Sequence, residues 1–186
     1  MATAKRSRTA PFGRNDASLL SRPLEYIQAE HLRHRELCLA AEELAEGATL
    51  DEPLARAMLA FLVSDMALHV IDEEEDLFPI LRRRLKPEDE AERIIGLLSG
   101  EHAADEALAN DIIQSLQQIL KAGDADMPGA LRNALLAFAD RQRRHLTVEN
   151  AIVLPLASRR LSKRDLDRIA SRMAARRNIT FREPNS

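Results

Sequence analysis

The sequence contains no Trp, one Tyr and one Cys, Cys38. A lone cysteine excludes an internal disulfide framework and a tetrahedral thiolate zinc site, and it suits a reducing compartment. Aromatic residues are scarce, at 3%, although hydrophobic residues reach 45%. The apolar material is therefore mostly Leu, Ala and Ile, good to fair helix formers that point to an all-α protein. No apolar run reads as long enough to cross a bilayer, and the N-terminus lacks the hydrophobic segment of a secretory signal. The expectation is a cytoplasmic protein with no membrane partner. At 186 residues the chain suits one domain with a substantial core.

The net charge of -3 conceals an asymmetry. Residues 1–22 hold five Lys or Arg against one Asp, and residues 159–186 hold nine against three acids, so the central segment is net -13. An acidic body attracts cations and repels nucleic acid, so no specific nucleic-acid partner is expected.

Residues 1–20 mix Gly, Pro, Ser, Asn and Arg without periodicity and read as a disordered basic tail. A bundle domain is expected over 21–158, followed by a C-terminal helix and basic tail over 159–186. Leu24, Ile27, His31, His34, Cys38 and Ala41 recur at steps of three and four on a first helix that Gly47 can end. A second, with Thr49 or Asp51 as cap and Pro53 in its first turn, carries Met58, Leu62, Asp65, His69, Glu73 and Leu77 toward Arg84. Pro87 and the acids after it read as the start of a third helix, carrying Leu98, His102, Asp105 and Ala109. Asp126 and Pro128 open a fourth, with Phe138, Gln142, His145, Glu149 and Leu156 inward, and a shorter fifth runs from about Ser162 to Arg176. Short connections between long helices predict an antiparallel up-down-up-down four-helix bundle with an additional C-terminal helix.

Four of the five histidines lie on an internal repeat. His69, Glu73 and Pro79 recur as His145, Glu149 and Pro155, and each H-x3-E-x5-P follows a Glu-His pair, Glu30-His31 or Glu101-His102. One helical turn separates the His and Glu of each motif, so both point the same way. Buried carboxylates need compensation, and imidazole mixed with carboxylate suits iron, manganese or zinc. A dinuclear site in the bundle core is the leading interpretation, with open coordination positions for a small molecule. His34, Asp105 and Glu106 are candidate accessory residues, the first two as an outer pair or extra ligands. Cys38 reads as a buried core thiol, Tyr26 lies just off the inward stripe, Glu74, Glu75 and Asp76 read as a solvated face, and Pro79 and Pro155 as bends or ends of helices.

An early Glu-His, H-x3-E with Leu-Phe-Pro following, a third His and a second H-x3-E together resemble the hemerythrin-like family of HHE cation-binding domains, over Pro23 to Leu156. Met173 to Arg177 also looks like the basic tail of bacterial members. The resemblance implies two iron ions joined by an oxo or hydroxo group, with His31, His69, His102 and His145 as terminal ligands and Glu73 and Glu149 as bridges. Zinc or manganese are substitutes. It also implies a small ligand such as oxygen, nitric oxide or peroxide. The chain departs from oxygen-carrying members: Glu106 stands where they have a second histidine four residues after His102, and the last carboxylate is Glu149, four rather than five residues beyond its His. Sensing or iron handling gains weight over reversible carriage. A di-iron oxidase or peroxidase is the alternative, and a helical interaction module with structural histidines a second. Oligomeric state is not readable from the sequence.

Overall fold

The structure, a computed structural model, describes residues 12–123 and 126–180. Most of the expected tail, residues 1–11, and the C-terminal residues 181–186 lie outside the described part. Among the described residues there are five long helices and no strand, only an isolated bridge between Thr49 and Asp126. Helix α1 is Pro23–Glu46, α2 is Glu52–Arg82 and α3 is Glu92–Ala122. Helix α4 begins at Gly129–Val148, passes through a wide turn at Glu149–Val153 and continues as Leu154–Arg160. Helix α5 is Lys163–Arg176.

The boundaries follow local chemistry. Asp51 accepts the Leu54 amide and Ser162 that of Asp165, each satisfying a donor that the first helical turn leaves free. Gly123 ends α3 at φ +69, in the left-handed region. Pro87 does not open α3. It starts a separate short 3-10 turn, Pro87–Asp89, because Glu90 adopts a left-handed φ of 49 that breaks continuity before Glu92. The ordered structure also starts earlier than Ser21. A 3-10 turn at Ala17–Ser21 buries Leu20, and the Phe12 ring meets Phe61 edge-on at 5.1 Å.

Pro79 and Pro155 do not end their helices. Each follows a π turn, Asp72–Leu77 or Glu149–Val153, in which the Phe78 amide reaches the Glu73 carbonyl and the Leu154 amide that of Glu149. A proline cannot donate the next bond, and the wider turn absorbs that loss while the chain stays helical. Both turns carry the repeated glutamate.

Helix α1 packs against α2 and α4, and α3 packs against the same two. Two apolar clusters fill this ring of four. One contains Leu37, Leu44, Met58, Met66, Leu116 and Phe138, the other Ile27, Leu77, Phe78, Leu98 and Val153. The histidines and glutamates of the repeat form a polar layer between them, since every helix passes from one cluster through that layer to the other.

Helix α2 corrects one expectation, for it is long and apolar enough to cross a membrane by length and composition, with a mean hydropathy of 1.7 in its most apolar stretch. Its inner face nevertheless carries buried His69, Asp72, Glu73 and Asp76. These groups are paired to other helices and would be costly to place in lipid.

Beside this ring, Arg160 and the Lys86 amide hold the Asp89 carboxyl down to about 2. A lowered folded-state pKa stabilises while the carboxylate is charged, so the contribution is present above roughly pH 4 and lost as pH falls toward 2. Arg160→Gln is expected to shrink this part of the acid unfolding curve, read by circular dichroism, with the Lys86 amide keeping the remainder.

Candidate metal centre

Four helices deliver the layer. His31 comes from α1, His69 and Glu73 from α2, His102 from α3, and His145 and Glu149 from α4, all buried. Their donor atoms form two groups of four, His31, His69, Glu73, Glu149 and Glu73, His102, His145, Glu149, within each of which the atoms lie inside 4.8 Å of one another. The two glutamates belong to both groups.

The imidazoles turn Nε2 inward. His31 Nε2 stands 3.5 Å from Glu73 and 3.4 Å from Glu149, His69 Nε2 3.5 Å from Glu73, His102 Nε2 3.3 Å from Glu73 and His145 Nε2 3.1 Å from Glu149. Two donors each about 2.1 Å from one ion stand about 3.0 to 3.4 Å apart at octahedral to tetrahedral angles. The spacing therefore fits shared ions. His31 Nε2, His145 Nε2 and all four carboxylate oxygens of Glu73 and Glu149 are buried without a hydrogen-bond partner. Native cores rarely leave such groups unsatisfied, which is the expected condition of a donor set built around cations.

The opposite ring nitrogens are held by a second circle of residues. Nδ1 of His69 meets Glu30 at 3.2 Å, that of His102 meets Glu74 at 2.6 Å, that of His145 meets Glu101 at 2.9 Å, and that of His31 meets Asn150 at 3.2 Å. Each helix supports the histidine of the next, α1 to α2, α2 to α3, α3 to α4 and α4 back to α1. An acceptor at Nδ1 fixes the proton there and leaves the Nε2 lone pair for a metal. This circle is missing from the sequence expectations, although each member adjoins a predicted ligand: Glu30 and Glu101 precede a histidine, and Glu74 and Asn150 follow a glutamate of the repeat.

Burial opposes charge on His69, but Glu73 and Glu30 outweigh it and push the imidazole up to about 10. His145 rises to about 9 against burial, through Glu149 and Glu101. Burial alone would raise the Glu73 carboxyl, yet His69, His102 and His31 hold it well below the usual carboxylate range. The layer thus demands positive charge, which protons supply in competition with a metal.

The accessory candidates separate. His34 is buried beside the layer, its ring 4.4 Å from His69 and 5.3 Å from Phe61, with Nδ1 unpartnered. Burial and the neighbouring His69 and His31 hold its pKa well below the ordinary value, so it is neutral. It does not pair with Asp105. That carboxylate is buried but committed to Gln142 at 2.8 Å and Arg141 at 2.6 Å, and Glu106 is exposed. None of the three belongs to either donor group.

Two further expectations change. Glu74 and Asp76 are not a solvated face, because Glu74 holds His102 and Asp76 is buried against Arg172 and Arg176. Tyr26 is buried and lies under Arg177, whose guanidinium is 4.9 Å from the ring centre. Cys38 is buried, and desolvation pushes its thiol up to about 11, which makes it inert at neutral pH.

A family model, the hemerythrin HHE cation binding domain, matches residues 22–157. The chain belongs to this family. No curated protein matches the chain. The hemerythrin match ends before α5, and it encloses all six residues of the two donor groups. Cation binding by an HHE domain and the two His/Glu groups at its centre agree on one location.

Proposed function

We propose that this hemerythrin-family protein holds a non-haem di-iron centre and uses it to bind or sense a small ligand, dioxygen or nitric oxide before peroxide. The observation that carries the reading is the sharing of Glu73 and Glu149 between two donor groups, each completed by two imidazoles. His31 and His69 would hold one ion and His102 and His145 the other, with both glutamates between. Bound iron would supply an electron-rich site for a small ligand. The alternation of the two apolar clusters along successive helices supports an antiparallel up-down-up-down order around it. So do the contacts along α1, where Glu30 then Arg33 meet His69 then Asp65 of α2, and His31 then Glu42 meet Asn150 then Arg143 of α4.

The protein's own groups shape access. A cleft of about 400 Å³ between α2 and α3 reaches His102 and is lined by Leu62, Met66 and Val70 of α2 and by Asp105, Glu106 and Asn110 of α3. The apolar α2 wall favours an uncharged diatomic ligand over a hydrated one. Glu101, partly exposed and bonded to His145, connects the layer to solvent on another side.

The test is to load the protein with ferrous iron without air, then record absorption spectra with dioxygen, nitric oxide and peroxide in turn. Reversible bands with either diatomic ligand are expected. Catalytic consumption of peroxide would move the assignment to an oxidase or peroxidase, and spectra insensitive to all three would overturn ligand binding.

A further inference from the structure

Helix α5 lies beyond the matched family domain, yet it reaches the supports of the centre. Its buried face, Ile169, Met173 and Ala174, joins the apolar cluster of Tyr26, Ile27 and Leu77, which fixes the helix against α1 and the π turn Asp72–Leu77. Arg177 follows its last turn, anchored through Nη1 to the Met173 carbonyl at 3.1 Å. From there Nη2 meets Glu30 Oε1 at 3.2 Å and Asp72 Oδ2 at 2.7 Å. Arg176 pairs with Asp72 and Asp76.

Only the Glu30 contact leads to one half of the layer, because Asp72 and Asp76 lie in the turn of Glu73, which belongs to both halves and keeps a second anchor in Arg176. Glu30 gives its other oxygen to His69 Nδ1, and Asp72 immediately precedes Glu73 in the same π turn. The guanidinium of Arg177 thus sets the carboxylate that orients His69, and with Arg176 it grips the turn that presents Glu73. The other half is supported differently. Glu74, which holds His102, takes the Ser99 hydroxyl at 3.0 Å, and Glu101, which holds His145, is 41% exposed at the side chain. The nearby arginines Arg141 and Arg144 are engaged by Asp105 and Asp140.

We propose that Arg177 is a positioning residue for the His31/His69 half of the centre, so that α5 makes the two metal positions unequal and tunes one of them. This rests on the dinuclear reading above. An outer partner that orients a ligating imidazole is worth about 10- to 100-fold in metal affinity, and a guanidinium carries enough N–H donors for one nitrogen, here Nη2, to face two carboxylates at once.

The experiment titrates zinc(II), a redox-silent probe, into the metal-free full-length protein, its Arg177→Gln and Arg177→Lys variants, and Arg160→Gln as a distant ion-pair control. The wild type and the control are expected to show the same two binding steps. Arg177→Gln is expected to weaken one step by about 10- to 100-fold and leave the other within a few fold, with Arg177→Lys recovering part of the loss. If Arg177→Gln does not fold, Arg177→Lys must still weaken the same single step. Two unchanged steps, or two steps weakened equally, would overturn the assignment while leaving the dinuclear site intact. A wild type that binds no zinc and no iron would overturn both.

Discussion

Replacing Glu73 with alanine is expected to empty both metal positions, whereas replacing His102 with alanine is expected to empty one. The difference follows from membership: Glu73 contributes to both donor groups and His102 to a single one. Glu73 is also the main counter-charge that keeps the buried His69 protonated, so its loss leaves an imidazole in an apolar setting with less compensation. The effect on affinity should exceed the 10- to 100-fold or so that loss of an outer partner costs. Metal content after reconstitution and desalting, with circular dichroism to show that the fold survives, reads both variants. Equal stoichiometry in the two would show that the glutamate is not shared.

Metal loading is expected to raise the thermal midpoint strongly, with chelation reversing the gain. Metal-free protein must keep two carboxylates and four imidazoles together in the core, compensated by protons alone. A cation that binds only the folded state stabilises by mass action. Two ions at about 100 times their dissociation constants contribute roughly 5 kcal/mol, a shift of roughly 10–20 °C for a chain of this size. Scanning calorimetry with and without metal gives the number, and identical midpoints would mean that the polar layer is a structural network needing no ion.

Much of the centre is legible in sequence because a helix converts spacing into direction. The H-x3-E repeat fixes which side chains share a face, and the apolar stripe around each motif says that the face is inward. The supports of the ligands obey no such rule. Whether Glu30 reaches His69 or its own neighbour His31 depends on the register of two helices, which spacing along one helix does not contain. Glu74 and Asp76 read as solvated because acids in a run are usually exposed, and only the arrival of His102 from α3 and Arg176 from the end of α5 explains their positions. Glu90 reads as a helix former, yet its left-handed backbone separates the Pro87 turn from α3. The prolines were legible as disturbances of the helix, but the response, a wide turn that keeps the helix running, depends on the layer those turns serve.

The same contrast explains the accessory residues. His34 and Asp105 occupy matching places in the repeat, and their environments diverge through neighbours on other helices. Asp105 finds Gln142 and Arg141, while His34 sits against the rings of His69 and Phe61, and burial with the nearby His69 and His31 keeps it neutral. A repeat predicts equivalent positions, and the packing around each decides whether the chemistry is equivalent too.

In the proposed centre one chain holds two ions that share Glu73 and Glu149. Iron content and Mössbauer spectra of the protein, loaded with ferrous iron without air and then oxidised, test it directly. Two irons per chain with magnetically coupled ferric spectra are predicted. A single iron, or two uncoupled ones, would contradict the shared carboxylates.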